Sequence, residues 1–211
     1  MTGTTRTKRS ILRPLAFSLG ATLAVLVLLV AGWLLWIALR PPPEGFAPTT
    51  GEAAGAAGQP PGAVQYTIDA RSREDWAYFA FSDGRAVVTS QESLDWDLAL
   101  RRTDNLTNGG ETNPQGLGGA VDLGEVPLEE ASTPADGYLA DATDDERGLE
   151  NAALNKWYSY NWTTHVITSK DHTYALRTAT GEVALLTFVS YYCDDGSSGC
   201  ITFRYLYPFE P

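Results

Sequence analysis

Alternation of apolar and polar residues near the C-terminus predicts three consecutive antiparallel strands, at residues 173–178, 182–192 and 201–207. The middle segment is apolar at both odd and even positions, which is typical of a strand buried on both faces. A glycine in the junction at residues 179–181 allows the tight turn that a hairpin needs. The last segment alternates with period two, and one of its faces carries Ile201, Phe203, Tyr205 and Tyr207.

The rest of the chain beyond residue 62 shows the same strand-like pattern. A hairpin with an Asp-Gly turn at residues 83–84 is predicted, and residues 104–119 are glycine-rich and are predicted to be a loop. Helical spacing of apolar residues predicts one short helix within residues 149–157. The fold class is therefore mostly β and antiparallel, with predicted strands at residues 64–69, 76–88, 94–102 and 158–167.

The N-terminal part has a different pattern. Residues 15–39 form a run of 25 residues without a charge, and a helix of that length crosses a hydrocarbon core of about 30 Å. Arg6, Lys8, Arg9 and Arg13 precede the run, and only Arg40 follows it closely. Because positive charge is retained in the cytoplasm, we predict a single-pass signal anchor, with residues 1–14 in the bacterial cytoplasm, residues 15–39 in the membrane and the chain beyond Arg40 in the periplasm.

A cleaved signal peptide is the alternative to an anchor. Its apolar region is normally about 7–15 residues long and is followed by a small-residue cleavage site. The present run is longer and leads into Arg40 and three prolines, which favours an uncleaved anchor. Residues 40–62 are rich in Pro, Gly and Ala and predict a linker. The extracytoplasmic domain is then predicted to span residues 63–211.

The charge of this domain restricts its partners. Five of the chain's 15 basic residues and only two of its 26 acidic residues precede residue 63. The domain therefore carries 10 basic and 24 acidic residues, a formal charge of −14. A surface of this sign repels nucleic acid and anionic headgroups.

Two cysteines, Cys193 and Cys200, flank six polar or small residues between the last two predicted strands. In an oxidising compartment they can close as a disulfide across the strand pair. A reduced or metal-binding pair is the alternative, although no further ligand is spaced to complete a zinc site.

Several motifs in order resemble the HmuY-like haem-binding protein family of exported, membrane-anchored bacterial proteins. Together the motifs extend over residues 66–208. They are Trp-Asp-Leu-Ala-Leu-Arg-Arg at 96–102, Thr-Asn-Gly-Gly at 107–110, Thr-His-Val-Ile at 164–167, Tyr-Ala-Leu-Arg-Thr-Ala-Thr-Gly at 174–181, Ser-Tyr-Tyr at 190–192, and the segment 199–208.

The resemblance implies a mostly antiparallel β fold and a haem held between two axial His or Met side chains. Met1 is the only methionine and is predicted to be cytoplasmic, so the candidate haem ligands are His165 and His172. Haem propionates favour basic partners, for which the candidates are Arg101, Arg102, Arg177 and Arg204.

No catalytic motif or metal-ligand cluster is present in the sequence, so no enzymatic activity is predicted. The first hypothesis is a tethered binding module for haem or another flat apolar ligand. The second is a structural subunit whose helix packs in an integral membrane complex, while the β domain makes protein contacts on the periplasmic face. Small residues near both ends of the apolar run, Gly20, Ala21, Ala31 and Gly32, suit such helix packing.

Overall fold

The computed structural model describes residues 12–52 and 62–209, with residues 12–21 as backbone alone. Most of the predicted cytoplasmic segment (residues 1–11) and nine of the 23 residues of the predicted linker (residues 53–61) lie outside the described residues. The chain divides into two compact units, Met1–Pro42 and Pro43–Pro211.

The first unit contains helix α1, Leu12–Ala38. Beyond it the chain runs into Pro41, Pro42 and Pro43, and proline can neither donate a helical hydrogen bond nor allow helical geometry in the residue before it. Among the residues whose side chains the structure describes, no helix is both long and apolar enough to cross a membrane.

The second unit is built from short antiparallel strands, which confirms the predicted mostly β fold. Its described residues form β1 (Val64–Asp69), β2 (Ala77–Ala80), β3 (Arg85–Val87), β4 (Leu98–Arg101), β5 (Asp104–Thr107), β6 (Gly119–Asp122), β7 (Ala142–Asp144), β8 (Gly148–Glu150), β9 (Tyr158–Asn161), β10 (Val166–Ser169), β11 (Thr173–Arg177), β12 (Val183–Tyr192) and β13 (Ser198–Leu206).

Two sheets face each other across the main core. The larger has the strand order β1-β13-β12-β11-β6, and the smaller has the order β3-β2-β4-β5. Phe203 of β13 meets Phe79 of β2 edge to face, with ring centroids 5.1 Å apart, and both side chains are fully buried. Apolar side chains at every second position of both sheets thus close a sandwich. Separate hairpins β9–β10 and β7–β8 lie outside the two sheets.

The predicted C-terminal meander is confirmed as β11, β12 and β13. β13 begins at Ser198 rather than at Ile201, because the cysteine-flanked loop continues the strand pairing as far as Tyr192 opposite Ser198. The predicted disulfide between Cys193 and Cys200 is also present, with Cα atoms 4.9 Å apart. Both cysteines are buried, so the bond lies inside the domain and joins the end of β12 to β13.

The first part of the predicted linker belongs to the β domain. Gly45 forms a parallel bridge with Tyr192, and the Glu44 carbonyl accepts a hydrogen bond from Ser190 Oγ. Further along, Thr49 exchanges hydrogen bonds with Thr67 on the outer edge of β1. The compact unit therefore starts at Pro43, because these backbone groups find partners that composition alone does not reveal.

The prediction of a short helix within residues 149–157 is wrong. β8 occupies its beginning, and successive turns follow at residues 152–156. The amides of Leu154 and Asn155 both point back to the carbonyl of Asn151, whose side chain donates to Asp141 Oδ1 at 2.9 Å and to the Leu139 carbonyl at 2.8 Å. The buried amide of Asn151 fixes one turn in place, and the chain then leaves it to enter β9. The predicted loop at 104–119 likewise contains β5 and the start of β6.

Asp97 connects the two sheets through its buried carboxylate. It accepts hydrogen bonds from the Phe81 amide at 2.8 Å and from the Ala179 amide, in the β11–β12 turn, at 3.0 Å. Burial raises the pKa of the Asp97 carboxyl, and the nearby charges of Glu182 and Asp83 act in the same direction. One side chain therefore ties the end of β2 to the turn of the larger sheet.

Asp97→Asn should lower the free energy of unfolding, because the new amide nitrogen faces a backbone amide and leaves it unpaired, at a cost of about 1–3 kcal/mol. The wild-type carboxyl binds its proton more readily when folded than when unfolded. Its stabilisation is therefore complete below the ordinary pKa of 3.8 and declines as the pH rises through the raised value. The deficit of the variant should be largest in acid and should narrow towards neutral pH.

Urea unfolding of the full chain in detergent between pH 3.5 and 7.5 measures this difference. Asp95→Asn is the matched control, because Asp95 is exposed and, among the described residues, its hydrogen bonds are with neighbouring Ser93 alone. A deficit for Asp97→Asn that stays constant or grows towards neutral pH would contradict the assignment.

Candidate functional site

An open cleft of about 630 Å³ lies where four separate parts of the β domain meet. The segment between β1 and β2 contributes one side, and the β4–β5 turn contributes the floor. The β9–β10 hairpin and the end of β12 complete it. The lining residues are Arg73, Arg101, Arg102, Thr103, Asp104, Tyr158, Tyr160, Trp162, Ile167 and Tyr191.

The β4–β5 turn is held firmly enough to position its arginines. Arg102 has a φ of +54°, and its amide donates to the Ala70 carbonyl at 2.8 Å. Its guanidinium donates to the carbonyl and hydroxyl oxygens of Ser198, at 2.7 and 2.8 Å, and lies 5.4 Å from the centre of the Tyr191 ring. Ser198 stands between Cys193 and Cys200 in sequence, so the disulfide fixes the loop that in turn holds Arg102.

The cleft is a basic site on an acidic domain. Three of the ten basic residues beyond residue 62 line it, with Asp104 as the one acidic lining residue. Arg101 lies 4.2 Å above the Trp76 ring and 3.4 Å from the Asp104 carboxylate. Arg73 has no hydrogen-bond or ion-pair partner within the residues that the structure describes. Guanidinium groups arranged in this way attract a carboxylate or another anion.

The β9–β10 hairpin presents an aromatic wall. Residues 158–167 were predicted as one strand, but the Asn161 side chain accepts hydrogen bonds from the amides of Thr163 and Thr164 and reverses the chain there. Tyr158, Tyr160 and Trp162 consequently project into the cleft from one short element. Trp162 is 83% exposed, which is an unusual exposure for a large apolar ring and marks a surface suited to ligand contact.

Trp157 joins the two halves of the cleft. Its ring is buried and stacks on Phe188 of β12 with centroids 4.5 Å apart. Its indole nitrogen donates to the Thr103 carbonyl in the β4–β5 turn at 3.2 Å, and its own carbonyl accepts from the Lys170 amide beyond β10. The aromatic hairpin and the arginine-bearing turn are therefore held against the same strand.

Comparison with known proteins identifies the family. A family model described as HmuY protein matches residues 72–205, more than half of the chain. The chain belongs to the HmuY family. The match extends over the whole cleft, from Arg73 to Tyr191. The resemblance predicted from the sequence motifs is therefore confirmed.

Solved structures share the HmuY fold. The apo HmuY analog of Tannerella forsythia is 17% identical, with a TM-score of 0.57 over 72% of this chain and 98% of that one. A candidate HmuY-like heme-binding protein of Bacteroides vulgatus is 19% identical, with a TM-score of 0.56 over 71% and 93% of the two chains. No match was found among curated proteins. Identities this low show a common fold and leave the ligand to be argued from the cleft itself.

The two histidines lie in different parts of this HmuY fold. His165 is exposed beside the aromatic wall, and its Nδ1 is hydrogen-bonded to the Tyr160 hydroxyl. His172 lies beyond β10, where its Nδ1 is 3.0 Å from both carboxylate oxygens of Asp122 at the end of β6. Within the described residues the two imidazoles share no contact, and no group of three or more His, Cys, Asp or Glu side chains forms a metal cluster.

Of the four arginines predicted from sequence, Arg101 and Arg102 reach the cleft. Arg177 lies 4.3 Å above the Tyr138 ring, and Arg204 forms an ion pair with Glu129 at 2.6 Å. Sequence reasoning missed Arg73 and the role of the aromatic side chains at residues 158, 160 and 162. The period-two spacing of those three rings was visible, but nothing local showed that the face would remain open.

Three kinds of group come together in and beside the cleft. Aromatic rings suit contact with a flat conjugated plane, guanidinium groups suit carboxylates, and an imidazole can bind a metal. The first two kinds line the cleft, and His165 lies beside it, hydrogen-bonded to the lining residue Tyr160.

Trp157→Phe should destabilise the domain by about 2 kcal/mol, because it removes the indole hydrogen bond to Thr103 and leaves a void against Phe188. Trp162→Phe makes the same chemical change on an exposed ring and should cost less than about 0.5 kcal/mol. Urea unfolding of the full chain in detergent compares the two variants. Equal losses would show that Trp157 does not hold the cleft together.

Proposed function

We propose that the protein is a membrane-tethered, extracytoplasmic binding protein that holds a flat, aromatic, carboxylate-bearing molecule of the tetrapyrrole class, of which haem is one. The observation that carries the proposal is the coincidence of three arginines and an exposed aromatic hairpin in one cleft. Each feature alone has ordinary explanations, but a ligand that is both planar and anionic requires both together.

The arginines supply the polar part of recognition. Neither Arg73 nor Arg101 is held in a strong ion pair. Arg73 has no partner among the described residues. The 3.4 Å contact of Arg101 with Asp104 is exposed, and such pairs contribute little to stability. Both guanidinium groups are therefore available to exchange weak contacts for charge-assisted hydrogen bonds to a ligand carboxylate. Arg102 contributes charge, while its hydrogen bonds to Ser198 keep it in place.

The aromatic hairpin supplies the apolar part. Tyr160 and Trp162 meet edge to face with centroids 4.9 Å apart, which orders two exposed rings in a fixed arrangement. Ile167 lies opposite Tyr160 in the hairpin, and its amide donates to the Tyr192 hydroxyl at 2.9 Å, so the wall is fastened to β12. A rigid wall loses little conformational freedom when a flat ring packs on it.

These groups support binding rather than catalysis, and haem would be the cargo of the protein. His165 is our candidate metal ligand, whereas His172 is held by Asp122 at the edge of the larger sheet. The Bacteroides vulgatus relative is named as heme-binding, which agrees with this ligand class. We favour a binding module over a purely structural subunit because these side chains line a concave cleft, which is the usual form of a small-molecule site.

We further propose that residues 15–39 anchor the domain to the bacterial cytoplasmic membrane. The 25-residue uncharged run and the basic residues before it support this arrangement. The Cys193–Cys200 disulfide supports an oxidising compartment for the domain.

A haemin titration of the full chain in detergent, followed by absorption and tryptophan fluorescence, tests the ligand class. We expect saturable binding that Arg73→Gln combined with Arg101→Gln weakens at least tenfold, since two charge-assisted contacts are lost. Arg177→Gln combined with Arg204→Gln removes the same charge far from the cleft and should leave the affinity within twofold. Absence of binding, or equal losses in both double variants, would contradict the proposal.

Protease treatment of spheroplasts that express the full chain with an N-terminal tag tests the anchor. We expect the β domain to be digested from outside while the tag and residues 15–39 stay together in the membrane fraction. A β domain that remains protected from the protease would contradict the proposed topology. A domain released without the tag would indicate a cleaved signal peptide instead.

A further inference from the structure

A bulge interrupts the pairing of β12 with β13 beside the disulfide. Ser190 lies opposite Thr202 and Tyr192 lies opposite Ser198, so two steps along β12 correspond to four along β13. A regular ladder of hydrogen bonds cannot continue through such a mismatch. The strand pairing on either side of the bulge therefore does not by itself determine where Ser198 lies.

The disulfide supplies the missing constraint. Cys200 belongs to the bulged part of β13, and the bond joins it to Cys193 just beyond the end of β12. Residues 194–197 of the loop are exposed, and the Gly199 carbonyl accepts a hydrogen bond from the Ala70 amide at 2.8 Å. An exposed loop has little packing to replace a covalent bond, so opening the disulfide would return much of its conformational freedom.

The same loop contacts the cleft through Arg102. The carbonyl and hydroxyl oxygens of Ser198 accept hydrogen bonds from its guanidinium at 2.7 and 2.8 Å. A side-chain carbon at Gly199, whose φ of +107° already favours glycine, would lie 2.6 Å from an Arg102 guanidinium nitrogen. Burial raises the pKa of the Tyr191 hydroxyl, whereas the Arg102 charge and the Ser198 hydroxyl act to lower it. The loop therefore packs directly against two cleft residues, Arg102 and Tyr191.

These contacts give Arg102 a fixed orientation in the cleft. A guanidinium has five N–H donors, and two of those of Arg102 are used by Ser198. The other donors have no partner among the described residues and are available to a carboxylate. A side chain that is already ordered loses less conformational freedom on binding than one, such as Arg73, that must be ordered by the ligand. Arg102 is therefore the preorganised carboxylate-binding group of the cleft.

We propose that the Cys193–Cys200 disulfide controls the affinity of the cleft for the carboxylate of its ligand, and that Ser198 transmits this control to Arg102. This inference rests on the proposed function. A dithiol reductant breaks the S–S bond, leaves two thiols on the protein and closes its own disulfide, so that electrons and protons balance. The opened loop releases Ser198, and Arg102 loses its fixed orientation. Because such coupling is reciprocal, a bound ligand opposes reduction by the same factor.

Titration of the full chain in detergent with metal-free protoporphyrin, before and after reduction by a dithiol, tests the coupling. This probe has no iron to which thiols could bind. We expect reduction, and likewise Cys193→Ser combined with Cys200→Ser, to weaken binding at least tenfold. The dimethyl ester of the same porphyrin has no carboxylate, so its affinity should change less than twofold.

Two serine variants separate the role of Ser198 from the stability of the loop. Ser198→Ala keeps the disulfide but removes one charge-assisted hydrogen bond to Arg102, and should weaken binding of the free acid about fivefold. Ser197→Ala is the matched control, because Ser197 is exposed and interacts with Asp195 instead. It should leave both affinities within twofold.

The reciprocal measurement is the thiol–disulfide equilibrium of the full chain in a dithiol redox buffer. Saturating protoporphyrin should shift this equilibrium towards the disulfide by the factor that separates the two affinities. Equal affinities of the oxidised and reduced chains, equal losses for the acid and its ester, or unchanged binding by Ser198→Ala would overturn the inference, while the proposed function would stand. If the oxidised chain binds no protoporphyrin, both the proposed function and this inference fail.

Discussion

The cleft depends on the buried ring of Trp157. Its stacking on Phe188 fixes the aromatic hairpin to β12, and its indole hydrogen bond to Thr103 fixes the arginine-bearing turn. A buried indole nitrogen must find an acceptor, and here the acceptor is a turn carbonyl from a distant part of the chain. The hydrogen bond that satisfies the buried indole therefore also joins two sides of the cleft. Site geometry and core packing cannot be changed independently at this residue.

The disulfide and the N-terminal segment reinforce the same region. Cys193 and Cys200 constrain the loop that carries Ser198, and Ser198 holds Arg102. Gly45 packs so closely on this end of β12 that a side-chain carbon there would lie 1.9 Å from the Cys193 carbonyl oxygen. Only glycine permits that approach. The proposed binding cleft is thus supported by covalent and backbone contacts, which help its turns to retain their geometry.

Alternation of apolar residues was sufficient to predict the β class, the C-terminal meander and the cysteine pair, because strand faces and hairpin partners are local in sequence. Two of the failures share one physical cause. The side-chain oxygens of Asn161 and Asn151 accept hydrogen bonds from backbone amides and reverse the chain, and such short polar side chains give a much weaker signal than hydrophobic periodicity. The cleft was harder still to predict from sequence, because Arg73, Arg101 and Tyr160 come from three separate parts of the chain. Their convergence follows from sheet packing and not from spacing.

The acidic charge of the domain opposes an anionic ligand, but the strength of this repulsion depends on distance. At physiological ionic strength charges are screened beyond about 8 Å, so the acidic residues spread over the surface contribute little inside the cleft. The guanidinium groups that line it act at hydrogen-bond distance, where screening by salt is weak. The net negative charge instead discourages polyanions such as nucleic acid, which must approach over a wide area. The small planar anion that we propose as ligand needs only the cleft, where arginine is in local excess.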